Sequence, residues 1–335
     1  MSKSIKTSPL PPSPLLALIA HADWSVSPKK RWMALARLDL TGHYFLSAPE
    51  PVGELPSLAF RLVSQVKKQG WVLLGLDFPI GLPQSYAAKA GIDNFLNLLP
   101  VLGSGPWSDF YQVAAKREEI SIGRPFYPLR PGGTRQRHLI EALGVASVHE
   151  LRRICERARP GRRAAAPLFW TMGAQQVGKA AICGWQGLLN PAMEDPGIKV
   201  AIWPFSGEMP DLCQPGWLVM AETYPAEFYT QLGIEFHREK SSGKSGKRVQ
   251  ASRVAQARRL ITWLESQRVF RTPPLDQQIR DGFGPSPDGE DRFDAVIGLI
   301  GMLNLFLGLQ PLVEPPPGII REVEGWILGQ GLTST

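Results

Sequence analysis

Five carboxylates stand out by where they fall. Asp291 and Asp294 lie three residues apart at the head of an apolar run, DRFDAVIGLIG, and residues at i and i+3 share one face of a helix. Three further acids close short apolar runs: Asp23 ends LALIAHAD, Asp77 ends WVLLGLD and Glu222 ends WLVMAE. An acid at the end of a buried strand, followed by a turn, is a common way of building a site on an α/β sheet. Brought together, such acids suit one chemistry. Mg²⁺ and Mn²⁺ take hard oxygen ligands, with waters and substrate phosphate completing the shell. Two such ions about 4 Å apart clamp a phosphoryl group and activate water. Without a cation, crowded carboxylates repel and some keep their protons. Zinc suits the set less well, since only His21 is near one of these acids and Cys155, Cys183 and Cys213 form no CxxC pair. Each acid also has a purely structural alternative. Asp291 could cap a helix, Asp23 and Asp77 could be turn residues, and Glu222 could pair with an arginine in the core.

The elements that must position these acids can be read from periodicity and breakers. Residues 1–14, rich in proline and serine, read as a mobile tail. Leu15 to Ala22 reads as a strand buried on both faces, and Trp32 to Leu40 and His43 to Ser47 complete a three-stranded meander. A helix is expected from about Pro56 to Gln69, with proline in its first turn and Gly70 past its end. Val72 to Leu76 is a buried fourth strand, and Phe78 to Pro83, FPIGLP, can continue neither strand nor helix. The pattern then turns irregular and reads as an insertion or subdomain over 84–215, whose clearest element is a helix from Ser147 to Ala158 opened by a Ser147–Glu150 capping box. Trp217 to Ala221 is a fifth strand, Arg238 to Arg248 a basic loop, and Ser252 to Ser266 a helix. The long helix carrying Asp291 and Asp294 ends at Pro311 to Pro317, with one short helix over Ile319 to Leu328. The fold expected is α/β: a core of 15–83 and 216–330, forming a mixed sheet flanked by helices, interrupted by 84–215 between the fourth and fifth strands. A central first strand puts Asp23 beside Asp77, and the late helix lays its first turn over both.

Composition agrees with a globular chain of 335 residues, 44% hydrophobic and 20% charged. No stretch reaches the roughly 18 apolar residues of a membrane span, and Ala295 to Leu309 is broken by glycines and Asn304. The odd, scattered cysteines fit a reducing cytoplasm. A formal charge of +7 and a pI near 9.4 favour a polyanionic partner, nucleic acid above all.

The motifs HADWS at Asp23, LDFPIGLP at Asp77, AETYP at Glu222 and DRFDA at Asp291 and Asp294, with LFWTMGAQQVGKAA and WPFSG between them, resemble the DUF429 family of predicted ribonuclease H-like nucleases. The resemblance runs from about Leu15 to Leu309. It implies a ribonuclease H-like fold and metal-dependent cleavage of phosphodiester bonds with Mg²⁺ or Mn²⁺. On this reading Asp23 bridges the ions, Asp77 and Asp294 ligate one each, and Glu222 or Asp291 completes the shells. Lys240, Lys244, Lys247 and Arg248, or Arg152 and Arg153 of the insertion, hold the phosphate backbone. Two alternatives stand beside it: a nucleic-acid-binding or scaffold protein that keeps the fold without catalysis, and a phosphotransferase of the sugar-kinase type. The second needs glycine-rich phosphate loops, and none follows Asp23 or Glu222.

Overall fold

The computed structural model describes residues 15–66, 69–159, 162–173, 176–236 and 246–332. The tail expected at 1–14 lies outside them. Among the described residues eight strands form one sheet: β1 (Leu15–Asp23), β2 (Trp32–Leu38), β3 (Tyr44–Leu46), β4 (Glu50–Pro51), β5 (Gly70–Leu76), β6 (Lys199–Trp203), β7 (Trp217–Glu222) and β8 (Phe270–Arg271). Their order is β6-β7-β5-β1-β2-β3-β8, with β4 also on β2. Strands β1, β5, β7 and β6 run parallel, and β2 is antiparallel to β1. The protein is thus α/β, with a mixed sheet flanked by helices and β1 inside it.

The sequence of β5, GWVLLGL, is buried at every position, as expected of a parallel strand covered on both faces. Alternate residues feed two cores. Leu74 and Leu76 meet Phe95, Phe110 and Trp185 of the long segment between β5 and β6. Trp71 and Leu73 meet the opposite layer, which holds helices α1 (Pro225–Gln231), α2 (Ala257–Ser266) and α3 (Gly289–Phe306). Helix α3 is buried from Phe293 to Leu305 without a break, the pattern of a helix at the centre of a layer. Two glycines let it lie flat. A Cβ on Gly298 would sit 2.1 Å from the His21 ring, and one on Gly301 would sit 2.0 Å from the Phe228 ring.

Five expectations need correction. The stretch read as an insertion contributes β6 to the sheet, beside β7. The helix expected over Ser147 to Ala158 is two single 3₁₀ turns, Val148–Leu151 and Ile154–Glu156. The cause lies between them: the Glu156 carboxylate caps the Arg153 N–H at 3.0 Å and the Arg153 side chain turns inward, so the chain breaks where a helix would run on. Ser147 makes no side-chain cap, and Glu150 accepts from the Ala146 N–H instead. The helix expected over Ser252 to Ser266 is split into Gln250–Val254 and α2. Helix α3 opens at Gly289 after Asp288, so Asp291 is not its cap but part of its first turn. The last short helix is one wide turn, Ile320–Glu324, and the chain then docks on β7, with the Leu328 N–H donating to the Glu222 carbonyl at 2.8 Å.

Candidate active site in a carboxylate cleft

Asp23 is the last residue of β1 and Glu222 the last of β7, paired in register with Leu76 of β5. Asp77 follows β5 directly, and its N–H donates to the Ala22 carbonyl at 3.1 Å. Three acids therefore leave three adjacent parallel strands at one end, the end where open α/β sheets bind ligands. The turn after Asp77 is held by a close approach: a Cβ on Gly81, at φ +122°, would meet the Glu324 carbonyl oxygen at 2.2 Å. The strand ends open into a cleft of ≈ 1170 Å³ whose wall includes Asp23, Asp77, Glu222, Asp291 and Asp294.

The acids in the cleft are unequal. Asp23 is only 8% exposed. Neither its carboxylate nor that of Asp77 has a hydrogen-bond or ion-pair partner among the described residues. Burial drives the Asp23 pKa well above the carboxylate range, and the neighbouring charges of Asp294, Asp77 and Asp291 push the same way, opposed by Lys247. Asp77 is pushed up to about 7, first by burial and then by Asp294, again against Lys247. Asp291, half-buried, rises to about 6 through burial and then the adjacent Glu290. Asp23, Asp77 and Asp294 thus line one cleft close enough for their charges to act on one another.

Asp294, by contrast, is fully engaged. One oxygen accepts from the Lys247 ammonium at 2.7 Å and the other from the Tyr229 hydroxyl. Burial and then the Asp294 charge raise the Tyr229 pKa well above its ordinary value, so the phenol keeps its proton. Burial acts to lower the Lys247 pKa, but Asp294 and then Glu290, 3.1 Å away, outweigh it, so the ammonium stays charged. Tyr229 was not anticipated. Its signal was present in YPAEFYTQL, where proline opens a helix right after Glu222 and Tyr229 falls on its first turns.

Glu222 and Arg153 require correction together. The Arg153 guanidinium, fully buried, bonds both Glu222 oxygens at 2.6 Å, and the Ile80 N–H donates to one of them at 2.7 Å. Glu222 is thus spent on a structural pair, and Arg153 is sealed away from any phosphate. Arg152 donates to the Ala165 carbonyl at 2.7 Å and is not among the cleft residues. Lys240 and Lys244 lie outside the described residues. Of the expected phosphate ligands, Lys247 and Arg248 do line the cleft, joined by Lys30 and Arg162, which were not foreseen. His21 is buried behind the site, its Nδ1 3.1 Å from the Ala295 carbonyl and its pKa lowered to about 3 by burial. Trp185 and Trp203 are buried core residues.

Could these residues hold a metal? No three Asp, Glu, His or Cys side chains among the described residues close around a common point. The donor chemistry nevertheless fits a hard divalent ion of the Mg²⁺ kind, which binds through one or two carboxylates and keeps its waters for substrate phosphate. Asp23, buried, and Asp77, part-buried, are two such carboxylates, close enough for the Asp77 charge to act on Asp23 and without a hydrogen-bond or ion-pair partner among the described residues. In comparisons with models of known protein families, with curated proteins and with solved structures, the chain matches none.

Proposed function

We propose that the protein is a divalent-cation-dependent phosphodiesterase acting on nucleic acid, built on a ribonuclease H-like core. The observation that carries this is the unpartnered pair Asp23 and Asp77 at the ends of adjacent parallel strands, with Asp294 of α3 facing them. The strand order β3-β2-β1-β5-β7, with β2 alone reversed between β1 and β3, supports the core assignment, beside the resemblance of its sequence motifs to the DUF429 family. The Mg²⁺ or Mn²⁺ called for here would polarise the phosphoryl group and lower the pKa of water. Asp23 and Asp77 would hold it, with Asp294 and the more open Asp291 beside them. Lys30, Lys247 and Arg248 supply positive charge along the wall for the phosphate backbone. Trp24, Phe78 and Tyr224 give the cleft an apolar floor beside the acids.

One observation favours the non-catalytic reading instead: an ammonium already occupies Asp294, and Glu222 is spent. That reading predicts salt-dependent nucleic-acid binding with no turnover. Mn²⁺ titration and cleavage of labelled DNA and RNA, for the wild type and for Asp23→Asn/Asp294→Asn, separate the two. The double variant is expected to lose both Mn²⁺ binding and cleavage. If it cleaves as well as the wild type, the assignment fails.

A further inference from the structure

Lys247 reaches the acid cluster from a fixed root. Its backbone carbonyl accepts from Arg253 at 2.7 Å, and the same guanidinium donates to the carbonyls of Gly282 and Gly284. Arg253 is itself 2% exposed, so the backbone at 247 is pinned to the rim of the cleft. From there a flexible four-carbon stem carries a point charge. Its Nζ lies 2.7 Å from Asp294 and 3.1 Å from Glu290, and its side chain is 32% exposed, so it has an open path into the cleft. One ammonium cannot neutralise Asp23, Asp77, Asp291 and Asp294 together, and the first two have no hydrogen-bond or ion-pair partner among the described residues. A divalent cation would bring two further positive charges, but it would meet the Lys247 charge at Asp294, where the two repel.

We infer that Lys247 is a tethered counter-ion: it holds Asp294 in the metal-free protein, yields that carboxylate when a divalent cation enters, and turns its ammonium to the substrate phosphate. The inference rests on the divalent-cation reading above. It makes Lys247 a positioning residue for Asp294 and sets ion affinity against an internal competitor.

The test uses the full chain with Mn²⁺ alone. Lysine acylation followed by mass spectrometry reads the accessibility of Lys247 against Lys199, an exposed lysine at the start of β6. Mn²⁺ is expected to raise Lys247 labelling severalfold and leave Lys199 unchanged. Calorimetry on Lys247→Met is expected to show Mn²⁺ bound about tenfold more tightly than by the wild type, since the competing charge is gone. Unchanged labelling while Mn²⁺ binds overturns the inference, as does a Lys247→Met variant that binds no more tightly. If that variant does not fold, the labelling of the wild type decides alone. If the wild type binds no Mn²⁺ at all, the divalent-cation reading falls too, and Lys247 is a permanent partner of Asp294; binding without displacement breaks only the inference.

Discussion

Two groups of acids end neighbouring strands of one sheet, and they are neutralised in opposite ways. At β7, Glu222 meets an arginine whose donors are all placed: Arg153 bonds Glu222, Glu156 and the carbonyls of Ile80 and Glu324. The planar fork matches the carboxylate, is fully buried and has no route out. At β1 and β5, the Asp23 and Asp77 carboxylates have no hydrogen-bond or ion-pair partner among the described residues, and the nearby cation is a lysine on a flexible stem. A group that only needs stability is locked by arginine. The second group is left short of positive charge and lines a cleft open to solvent, which is what the proposed cation site requires.

The comparison can be broken by substitution. The largest effect is expected for Arg153→Met, which strands Glu222 and Glu156 in the core; breaking a buried pair costs about 3–5 kcal/mol, read as a steep fall in the denaturant midpoint. Next comes the same change, acid to amide, on the two sides. Glu222→Gln leaves the Arg153 charge undercompensated and is expected to cost about 1–3 kcal/mol. Asp23→Asn removes a buried carboxyl that has no partner among the described residues and whose ionisation burial already opposes, so thermal stability should hold or rise. If both variants lose stability alike, the contrast between the groups is wrong.

The smallest effect is a pH slope. Asp77 has a folded pKa near 7, above the ordinary carboxylate value, so folding favours its protonated form. Its contribution is fully present below the ordinary carboxylate pKa and is lost as pH rises through about 7. The melting temperature of the metal-free protein should therefore fall between about pH 5 and pH 8, and Asp77→Asn should flatten that fall. A variant with the wild-type slope would place the titration elsewhere.

Much of the cleft was legible because a strand buried on both faces is a continuous apolar run, and an acid that ends one is conspicuous. Asp23 and Asp77 were singled out this way, and Asp294 as one of two acids three residues apart at the head of an apolar helix; the expected place of β1 beside β5 is also seen. The Glu222–Arg153 pair was visible only as an alternative, since 69 residues separate its members and no local pattern joins them. Arg153 was misread because its neighbours Ser147 and Glu150 imitate a helix start, while the tertiary pull of Glu222 outweighs that local preference. Strand β6 was missed because KVAIW is short, opens on an exposed lysine and runs into proline. The role of Lys247 depends on Arg253 and two glycine carbonyls, a distant set that spacing does not reveal.

Helix α3 supplies Asp294 and also covers the sheet over His21, with a face that Gly298 lets approach the imidazole ring. A growing polypeptide presents Asp23 and Asp77 long before α3 has been synthesised. Closing the hydrophobic layer and completing the acid cluster are thus one event, late in biosynthesis. A chain that stops early has neither a finished core nor a complete acid cluster.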